Sequence, residues 1–325
     1  MWQNLLRCAM GAIAISAVSI PSHAQLMSNA RPLNIVVPFQ GGGPSDAIVR
    51  PLAQSLSERL TRPVVVENRP GANGSIGTIY VARQPPNGDT ILFHITGFIQ
   101  TPALSRKSPT YSFDKEFEPV ALLGRQAVAL AVPGSSPYKT VAELVAAIKA
   151  KPVDFAYGSY GVASTSHIYG EVLRTELGVD MPHIAFQGMG PLLQEMLAGR
   201  IPIAFVSVVT AVERRKDKSL RILAVTGPTR LASLPDVPTM EELGYEGFNT
   251  TGFYALFVSA KTPDAIRTPL IKALQASLSE DAIKTRLNDV GLEQSDETLT
   301  EFSQSLKRDF STWQNLGKSL DISNE

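Results

Sequence analysis

The sequence predicts an α/β fold of two lobes, each built around a largely parallel sheet. From Leu33 onward, short runs of β-branched and other apolar residues alternate with amphipathic stretches, as in successive βαβ units. The chain has 325 residues, and a single core usually divides above about 250 residues. The alternation therefore indicates the class of sheet, and the length indicates the number of lobes.

The elements follow from these patterns. The predicted strands cover residues 34–37, 64–67, 90–95, 120–123, 127–132, 154–157, 183–186, 201–206 and 221–225. The clearest predicted helices cover residues 47–60, 140–150, 164–177, 191–198, 264–279, 281–290 and 299–316. Pro51 falls inside the first of these helices and removes a backbone donor there, so we expect a kink or a later start.

The first 24 residues have the features of a secretory signal peptide. A segment ending in Arg7 precedes an apolar run over residues 8–20, and Ala24 is a small residue suited to cleavage before Gln25. A membrane span needs about 20 apolar residues, and neither this run nor any later segment reaches that length. We therefore expect a soluble periplasmic protein, with an uncleaved membrane anchor as the alternative.

Two classes of site are excluded by the residues available. The only cysteine, Cys8, lies in the predicted signal and before its apolar run, so the mature chain has no disulfide, thiolate metal site or lipid-bearing cysteine. No pair of histidines has the spacing of metal ligands. No dinucleotide fingerprint or phosphate-binding loop occurs, so we expect neither a metal nor a cofactor.

Charge excludes another class of partner. The chain has 30 Lys plus Arg and 30 Asp plus Glu, without a basic run or an interleaved aromatic stripe. Nucleic acid is therefore not expected as a partner. Separately, we expect the protein to be a monomer.

Two stretches rich in proline or glycine, residues 133–137 and 244–252, are the predicted crossings between lobes. Two crossings imply that one lobe is discontinuous. The first lobe is then formed by residues 26–130 plus 251–325, and the second by residues 131–250.

The first junction of interest runs from Ile35 to Asp46 and leads from a strand directly into a helix. Its glycines at 41–43 let the backbone approach a ligand, and the helix end offers N–H groups and partial positive charge to an anion. Ser45 is placed to cap the helix or to donate to the ligand. A simple tight turn at the three glycines is the alternative.

A second junction, residues 64–77, carries glycines at three-residue intervals. Arg69 in this loop is a candidate carboxylate clamp. A solvated loop charge is the more frequent role of such an arginine.

The third junction, residues 155–167, again turns from a strand into a helix. Its hydroxyl residues are Ser159, Ser164, Thr165 and Ser166. Together with helix-end amides they predict a neutral cradle for carboxylate oxygens. Capping by one serine, with the others exposed, is the alternative.

His167 adjoins Ser166, so nucleophilic catalysis must be considered. Adjacent residues on a helix do not face each other, no Gly-x-Ser-x-Gly elbow occurs, and no acid is placed to orient the imidazole. We expect His167 to be a structural or ligand-contacting donor, His94 a satisfied core histidine, and His183 an ordinary strand residue. Candidate aromatic walls of a cleft are Phe39, Phe186, Phe253 and Tyr254.

The order of these motifs resembles Bug-type receptors, the substrate-binding proteins of the tripartite tricarboxylate transporter family. The resemblance rests on Val37-Pro38-Phe39, Gly42-Gly43-Pro44-Ser45-Asp46, Glu67-Asn68-Arg69-Pro70-Gly71-Ala72, Gly74-Ser75-Ile76-Gly77, Gly158-Ser159, Gly161 to His167, Leu197-Ala198-Gly199, Leu234-Pro235-Asp236-Val237-Pro238-Thr239 and Thr262-Pro263. These motifs span nearly the whole mature chain in order.

The resemblance implies a Venus-flytrap fold that captures a small organic carboxylate, a di- or tricarboxylate or an aromatic acid, in the periplasm. It also implies delivery to a membrane permease of one large and one small subunit. By the same resemblance, the loop from Phe39 to Asp46 and the loop from Ser159 to His167 carry the ligand contacts. The predicted ligand-binding residues are Phe39, Gly42, Gly43, Ser45, Asp46, Ser159, Ser164, Thr165, Ser166, His167, Gln187 and Ser207.

The chain departs from the family at two places that concern the ligand. Relatives often have Tyr-Lys/Arg-Gly where this chain has Phe186-Gln187-Gly188, and many have an acid where it has Ser207 after Val206. Without that acid nothing obvious pairs with an ammonium group in a dry cleft, which disfavours an amino acid. Gln187 and Ser207 suit a neutral polar or aromatic tail.

A periplasmic ligand sensor that docks on a signalling protein is the alternative function, since it needs the same ligand-driven closure. A neighbouring pair of genes for a large and a small membrane protein would favour transport. A secreted hydrolase is disfavoured, because no nucleophile and base can be paired.

Overall fold

A computed structural model describes residues 31–105 and 110–322. The predicted signal peptide lies outside the described residues. The strands are β1 (Leu33–Val37), β2 (Val64–Asn68), β3 (Thr90–Ile95), β4 (Phe117–Gln126), β5 (Val128–Pro133), β6 (Tyr157–Ser159), β7 (His183–Ala185), β8 (Ile203–Ser207), β9 (Leu220–Val225) and β10 (Gly252–Ser259). The helices are α1 (Pro44–Leu60), α2 (Ser75–Ala82), α3 (Gly97–Ala103), α4 (Val141–Ala150), α5 (Thr165–Leu177), α6 (Met189–Leu197), α7 (Val208–Lys216), α8 (Asp264–Leu278), α9 (Asp281–Asp289) and α10 (Leu299–Ser319).

The strands of the described residues form two five-stranded sheets, ordered β2-β1-β3-β10-β4 and β7-β6-β8-β5-β9. In the first sheet β1 runs parallel to β2 and β3, while β10 pairs antiparallel with β3 and β4. In the second sheet β6 runs parallel to β7 and β8, while β5 pairs antiparallel with β8 and β9. The predicted α/β class is confirmed, with one antiparallel strand inserted into each parallel group.

The chain passes from the first sheet to the second at Ala127, between β4 and β5, and returns between β9 and β10. The two segments that cross between the sheets are hydrogen-bonded to each other here. Thr226 N–H donates to the Val128 carbonyl over 2.8 Å, and Val128 N–H donates to the Thr226 hydroxyl over 3.1 Å. The predicted lobe limits at 130/131 and 250/251 remain a prediction.

Several observed elements differ from the predicted ones. Strand β10 is absent from the predicted strands, although its uninterrupted apolar run suits a strand buried on both faces. The strand predicted at 154–157 lies instead at Tyr157–Ser159, because Pro152 begins a 3₁₀ turn over Pro152–Asp154. Helix α1 begins earlier than predicted, at Pro44, and continues through Pro51.

Pro51 is accommodated by a side chain from another helix. A residue with an N–H at position 51 would donate to the Ala47 carbonyl, four residues earlier. That carbonyl accepts from Arg286 Nε of α9 over 3.4 Å. None of the helices in the described part of the chain is long and apolar enough to cross a membrane.

Candidate functional site

The candidate site lies at the carboxyl ends of parallel strands. Segments that follow strands of the first sheet meet there a segment that follows a strand of the second sheet. The loop after β1 and the turn Ala72–Gly74 lie on the side of the first sheet, as does α3, and residues 159–167 follow β6 of the second. Asn73 Nδ2 donates to the Ala163 carbonyl over 3.5 Å, and the Thr165 hydroxyl donates to Gln100 Oε1 over 3.0 Å. Ligands of open α/β sheets bind outside the carboxyl ends of the strands, which is where these segments lie.

The loop between β1 and α1 is organised by Asp46. Its carboxylate accepts from Gly42 N–H over 2.8 Å and from Asn68 Nδ2 over 2.8 Å, and Arg50 Nη2 donates to it over 2.8 Å. Burial alone would raise the pKa of Asp46, but these hydrogen bonds and the Arg50 charge together lower it. Asp46 is thus a charged residue that shapes the loop, with its oxygens used by the protein itself.

Two other predicted residues of this loop remain open to a ligand. Gly42 has a φ of +79°, and a Cβ built on it meets nothing within 4 Å. Ser45 is buried, and helix α1 has no side-chain cap at Gly43. Among the described residues the Ser45 hydroxyl has no hydrogen-bond partner.

Phe39 begins this loop and lies against a buried histidine. Its ring meets the His94 ring edge-on with centroids 5.4 Å apart, and Phe39 itself is half-buried. Burial lowers the pKa of His94 to about 3, so the ring is neutral. His94 is a core residue as expected, but its Nε2 has no partner among the described residues.

The hydroxyls of the loop before α5 are largely bonded within the protein. Ser164 caps α5 by accepting from His167 N–H, and it donates to the Gly161 carbonyl over 2.6 Å. Ser166 donates to the Phe205 carbonyl over 2.6 Å, and Ser159 contacts His183 Nε2 at 2.8 Å. Ser164 caps the helix as the capping alternative expects, but the other hydroxyls are buried rather than exposed. The cradle for a carboxylate stays a prediction.

The donors left over at this loop are mainly backbone groups. Within residues 31–105 and 110–322, the N–H groups of Thr165 and Ser166, the first two residues of α5, have no backbone partner. The Tyr160 phenol lies near the Ser166 N–H, and burial raises the pKa of Tyr160 to about 12 although Thr165 and this N–H lower it. The start of α5 thus presents donors without any formal positive charge.

His167 forms a ring stack that the sequence does not reveal. Its ring lies 3.9 Å from that of His183, centroid to centroid, and the two planes differ by 7°. Tyr157 stacks on His183, with the ring centroids 4.8 Å apart. His167 Nδ1 accepts from Ala163 N–H over 3.0 Å, so its proton is on Nε2. His183, expected to be an ordinary strand residue, is therefore part of the loop's support.

The remaining predicted site residues differ in exposure. Gln187 is exposed in the turn before α6. Ser207 is buried and caps α7 by accepting from Thr210 N–H over 3.3 Å. Of the aromatic candidates, Phe253 and Tyr254 lie in the buried strand β10, while Phe186 is half-buried.

Arg69 has partners of its own. Its Nη2 lies 2.6 Å from Glu67 Oε1, and its guanidinium stacks over the Tyr80 ring at 3.5 Å. The structure thus gives no support to the carboxylate-clamp interpretation.

Three residues at the site are absent from the sequence-based candidates: Asn73, Gln100 and Tyr160. Gln100 is a lone amide in the apolar segment Gly97–Ala103, which is a signal that could have been used. Asn73, which lies between Ala72 and Gly74, has a φ of +49°. Both bring polar groups of the first sheet's side to the α5 loop.

Known proteins resemble this chain along nearly its whole length. Residues 48–321 match the model of the tripartite tricarboxylate transporter family receptor. A curated relative in the TAR-I ttuE-ttuC' intergenic region of Agrobacterium vitis is 32% identical, over 86% of this chain and 81% of the relative. The periplasmic binding protein BugD is 31% identical in sequence, with a TM-score of 0.84 over 90% of this chain and 98% of BugD.

Another similar protein has been solved with a bound solute. Rpa4515 of R. palustris, solved with adipate, is 28% identical with a TM-score of 0.85, over 91% of this chain and 99% of that protein. These likenesses confirm the two-lobed periplasmic-binding-protein fold and the resemblance to Bug-type receptors. The chain belongs to the tripartite tricarboxylate transporter receptor family and is a periplasmic solute-binding protein, not an enzyme.

Proposed function

We propose that this receptor captures a small organic carboxylate between its two lobes and delivers it to a two-component membrane permease. The observation that carries the proposal is the start of α5, where, among the described residues, the Thr165 N–H has no hydrogen-bond partner and the Ser166 N–H has no backbone partner. A helix N-terminus binds anions through such groups and through the helix dipole. The carboxylate in the Rpa4515 structure supports this class of ligand.

The charges around the site narrow the proposed ligand. Arg50 is paired with Asp46 and Arg69 with Glu67, so neither cation is left over for a second or third carboxylate. Half-buried Phe39, Tyr160 and Phe186 offer apolar surface. We therefore propose a mono- or dicarboxylate, aliphatic or aromatic, in preference to a tricarboxylate.

The remaining parts of the proposal concern the whole chain. The lobes are residues 26–130 plus 251–325 and residues 131–250, moving about the joined segments at Val128 and Thr226. Export follows cleavage after Ala24, and the mature receptor is a monomer. Mass spectrometry of the protein from a periplasmic extract tests the cleavage, with a first residue of Gln25 as the expected result.

Ligand class is tested by thermal unfolding of the recombinant chain beginning at Gln25. A ligand that binds only the folded state stabilises it by about 2.7 kcal/mol at 100 times its dissociation constant. The panel is adipate, malate, citrate, benzoate and glutamate, each against a chloride control at equal ionic strength. We expect a rise in melting temperature with adipate or benzoate and none with glutamate. A rise with glutamate alone would contradict the proposal.

A further inference from the structure

A buried amide lies between the two halves of the candidate site. Gln100 of α3 is 1% exposed, and its Oε1 accepts a hydrogen bond of 3.0 Å from Thr165, the first residue of α5. Its Nε2 has no hydrogen-bond partner among the described residues. A buried donor without a partner is costly, and native proteins keep few of them.

The place of this donor indicates a use for it. Because the amide oxygen is bonded to Thr165, the amide nitrogen lies beside the first turn of α5. The Thr165 N–H there also has no partner in the described part of the chain. The Tyr160 phenol lies near the next N–H, that of Ser166. Among the described residues, the Gln100 amide and the Thr165 N–H are therefore two donors at the start of α5 that lack an acceptor. A carboxylate oxygen, which only accepts, satisfies both.

We propose that Gln100 is a ligand-binding residue whose Nε2 donates to a carboxylate oxygen held at the N-terminus of α5. This inference rests on the proposed function and adds a residue from the first sheet's side of the site. One amide then contacts the second half of the site twice, through Thr165 and through the ligand. The contact also selects against an ammonium group, which would meet donors only.

Two substitutions of Gln100 and one of Thr165 separate ligand binding from a structural role. Gln100→Glu keeps an oxygen that accepts from Thr165 and replaces the free donor by a second acceptor. Gln100→Met removes both functions at similar volume, and Thr165→Val removes the bond between the two side chains together with the Thr165 contact to the Tyr160 phenol. The dissociation constants of adipate and benzoate are measured by calorimetry at pH 7.5, on chains beginning at Gln25.

We expect Gln100→Glu to weaken binding most, by about 100-fold or more, because two carboxylates would face each other. Gln100→Met should weaken binding about tenfold through the lost donor, and Thr165→Val should have a smaller effect. If Gln100 only supports the fold, Gln100→Glu will bind like the unsubstituted chain and the other two variants will lose affinity equally. That result would overturn the inference.

Two further outcomes are also decisive. If Gln100→Glu does not melt cooperatively, the other two variants give the answer: a larger loss in Gln100→Met supports the inference, and equal losses overturn it. If the unsubstituted chain binds neither probe, the proposed ligand class fails and the inference fails with it. If the unsubstituted chain and Gln100→Glu bind the probes equally well, the inference about Gln100 fails but the proposed function does not.

Discussion

His167 and His183 are stacked in a way that favours the neutral form of both rings. Two imidazolium rings 3.9 Å apart would repel each other, and a proton on His167 Nδ1 would break its bond with Ala163 N–H. Burial lowers the pKa of both, and that of His183, lowered further by His167, falls to about 4. Tyr157 and Glu171 also face the pair; of these Glu171 acts the other way, favouring protonation.

Acid should therefore destabilise the protein through His183. A histidine whose folded pKa lies below its ordinary 6.5 contributes stability above pH 6.5, and this is lost as the pH falls towards about 4. We expect this residue to account for a loss of about 2 kcal/mol in the free energy of unfolding, less than the full shift because the ring is partly exposed. Urea unfolding at pH 7.5, 6.0, 5.0 and 4.5 measures it.

The control for this prediction is His183→Gln. Its amide can still bond Ser159 but does not titrate, so the variant should lose about 2 kcal/mol less over the same pH range. An equal loss in both proteins would show that other groups cause the acid sensitivity.

Gly42 tests the first loop with a matched control elsewhere in the fold. Gly42 and Gly199 have φ of +79° and +71°, and a Cβ on either meets nothing within 4 Å. Phenylalanine at either position should cost stability by about 1–2 kcal/mol through its backbone conformation. Only Gly42→Phe should weaken carboxylate binding, by about tenfold or more. Equal affinity of the two variants in calorimetry would remove Gly42 from the site.

Ser45→Ala tests the same loop without a change of backbone. Its hydroxyl bonds to nothing among the described residues, so the substitution should leave the melting temperature nearly unchanged and weaken binding severalfold. Unfolding of the variant would show that the hydroxyl is structural.

Single residues also show what the sequence leaves hidden at the site. The glycines and the start of α5 are visible in sequence, so both loops can be located without a structure. The partners of Ser166 and Thr165 are Phe205 and Gln100, which are far away in sequence. No local pattern tells which hydroxyls are already bonded, and contact of these hydroxyls with the ligand stays a prediction.

At the scale of elements, Arg125 joins the end of β4 to helix α10. Its guanidinium donates to Glu297 over 2.8 and 2.7 Å and to Ser305 over 2.7 Å, and Asp309 lies 3.4 Å away. Burial would lower the pKa of Arg125, but the two carboxylates raise it. The strand is thus held in place two residues before the chain passes between the sheets at Ala127.

Arg125→Lys should loosen this junction. A lysine cannot reproduce the two parallel bonds to Glu297 or reach Ser305 at the same time. We expect the free energy of unfolding to fall by about 2 kcal/mol in urea at pH 7. Arg200→Lys is the matched control, since Arg200 also pairs with a glutamate but is largely exposed, and it should change stability little. An equal effect of both variants would contradict the structural role of Arg125.

Elements with strong periodicity are the ones that the sequence predicts well. The long amphipathic helices α5, α8 and α10 are found within a few residues of their observed bounds. Short α2 and α3 are missed, since one or two buried turns carry little periodic signal. Because α3 was missed, Gln100 was also left out of the candidate site residues.

At the scale of the whole molecule, an aromatic cluster connects the two sheets' sides. Trp313 of α10 is fully buried, with its ring 6.0 Å from that of Tyr169 in α5. The Tyr169 hydroxyl donates over 2.5 Å to the carbonyl of Thr250, in the segment that returns to the first sheet. Any change in the relation of α5 to α10 therefore changes the surroundings of Trp313.

Trp313 should report the binding of a carboxylate. The chain has two tryptophans and the other, Trp2, lies in the predicted signal peptide, so the tryptophan emission of a chain beginning at Gln25 comes from Trp313 alone. A ligand that bridges the lobes shifts the population towards the closed form. We expect the emission to change on titration with adipate or benzoate, with the same dissociation constant as calorimetry gives. Trp313→Phe should bind equally well and show no signal. Calorimetric binding with unchanged emission would mean that α5 and α10 do not move relative to each other when the ligand binds.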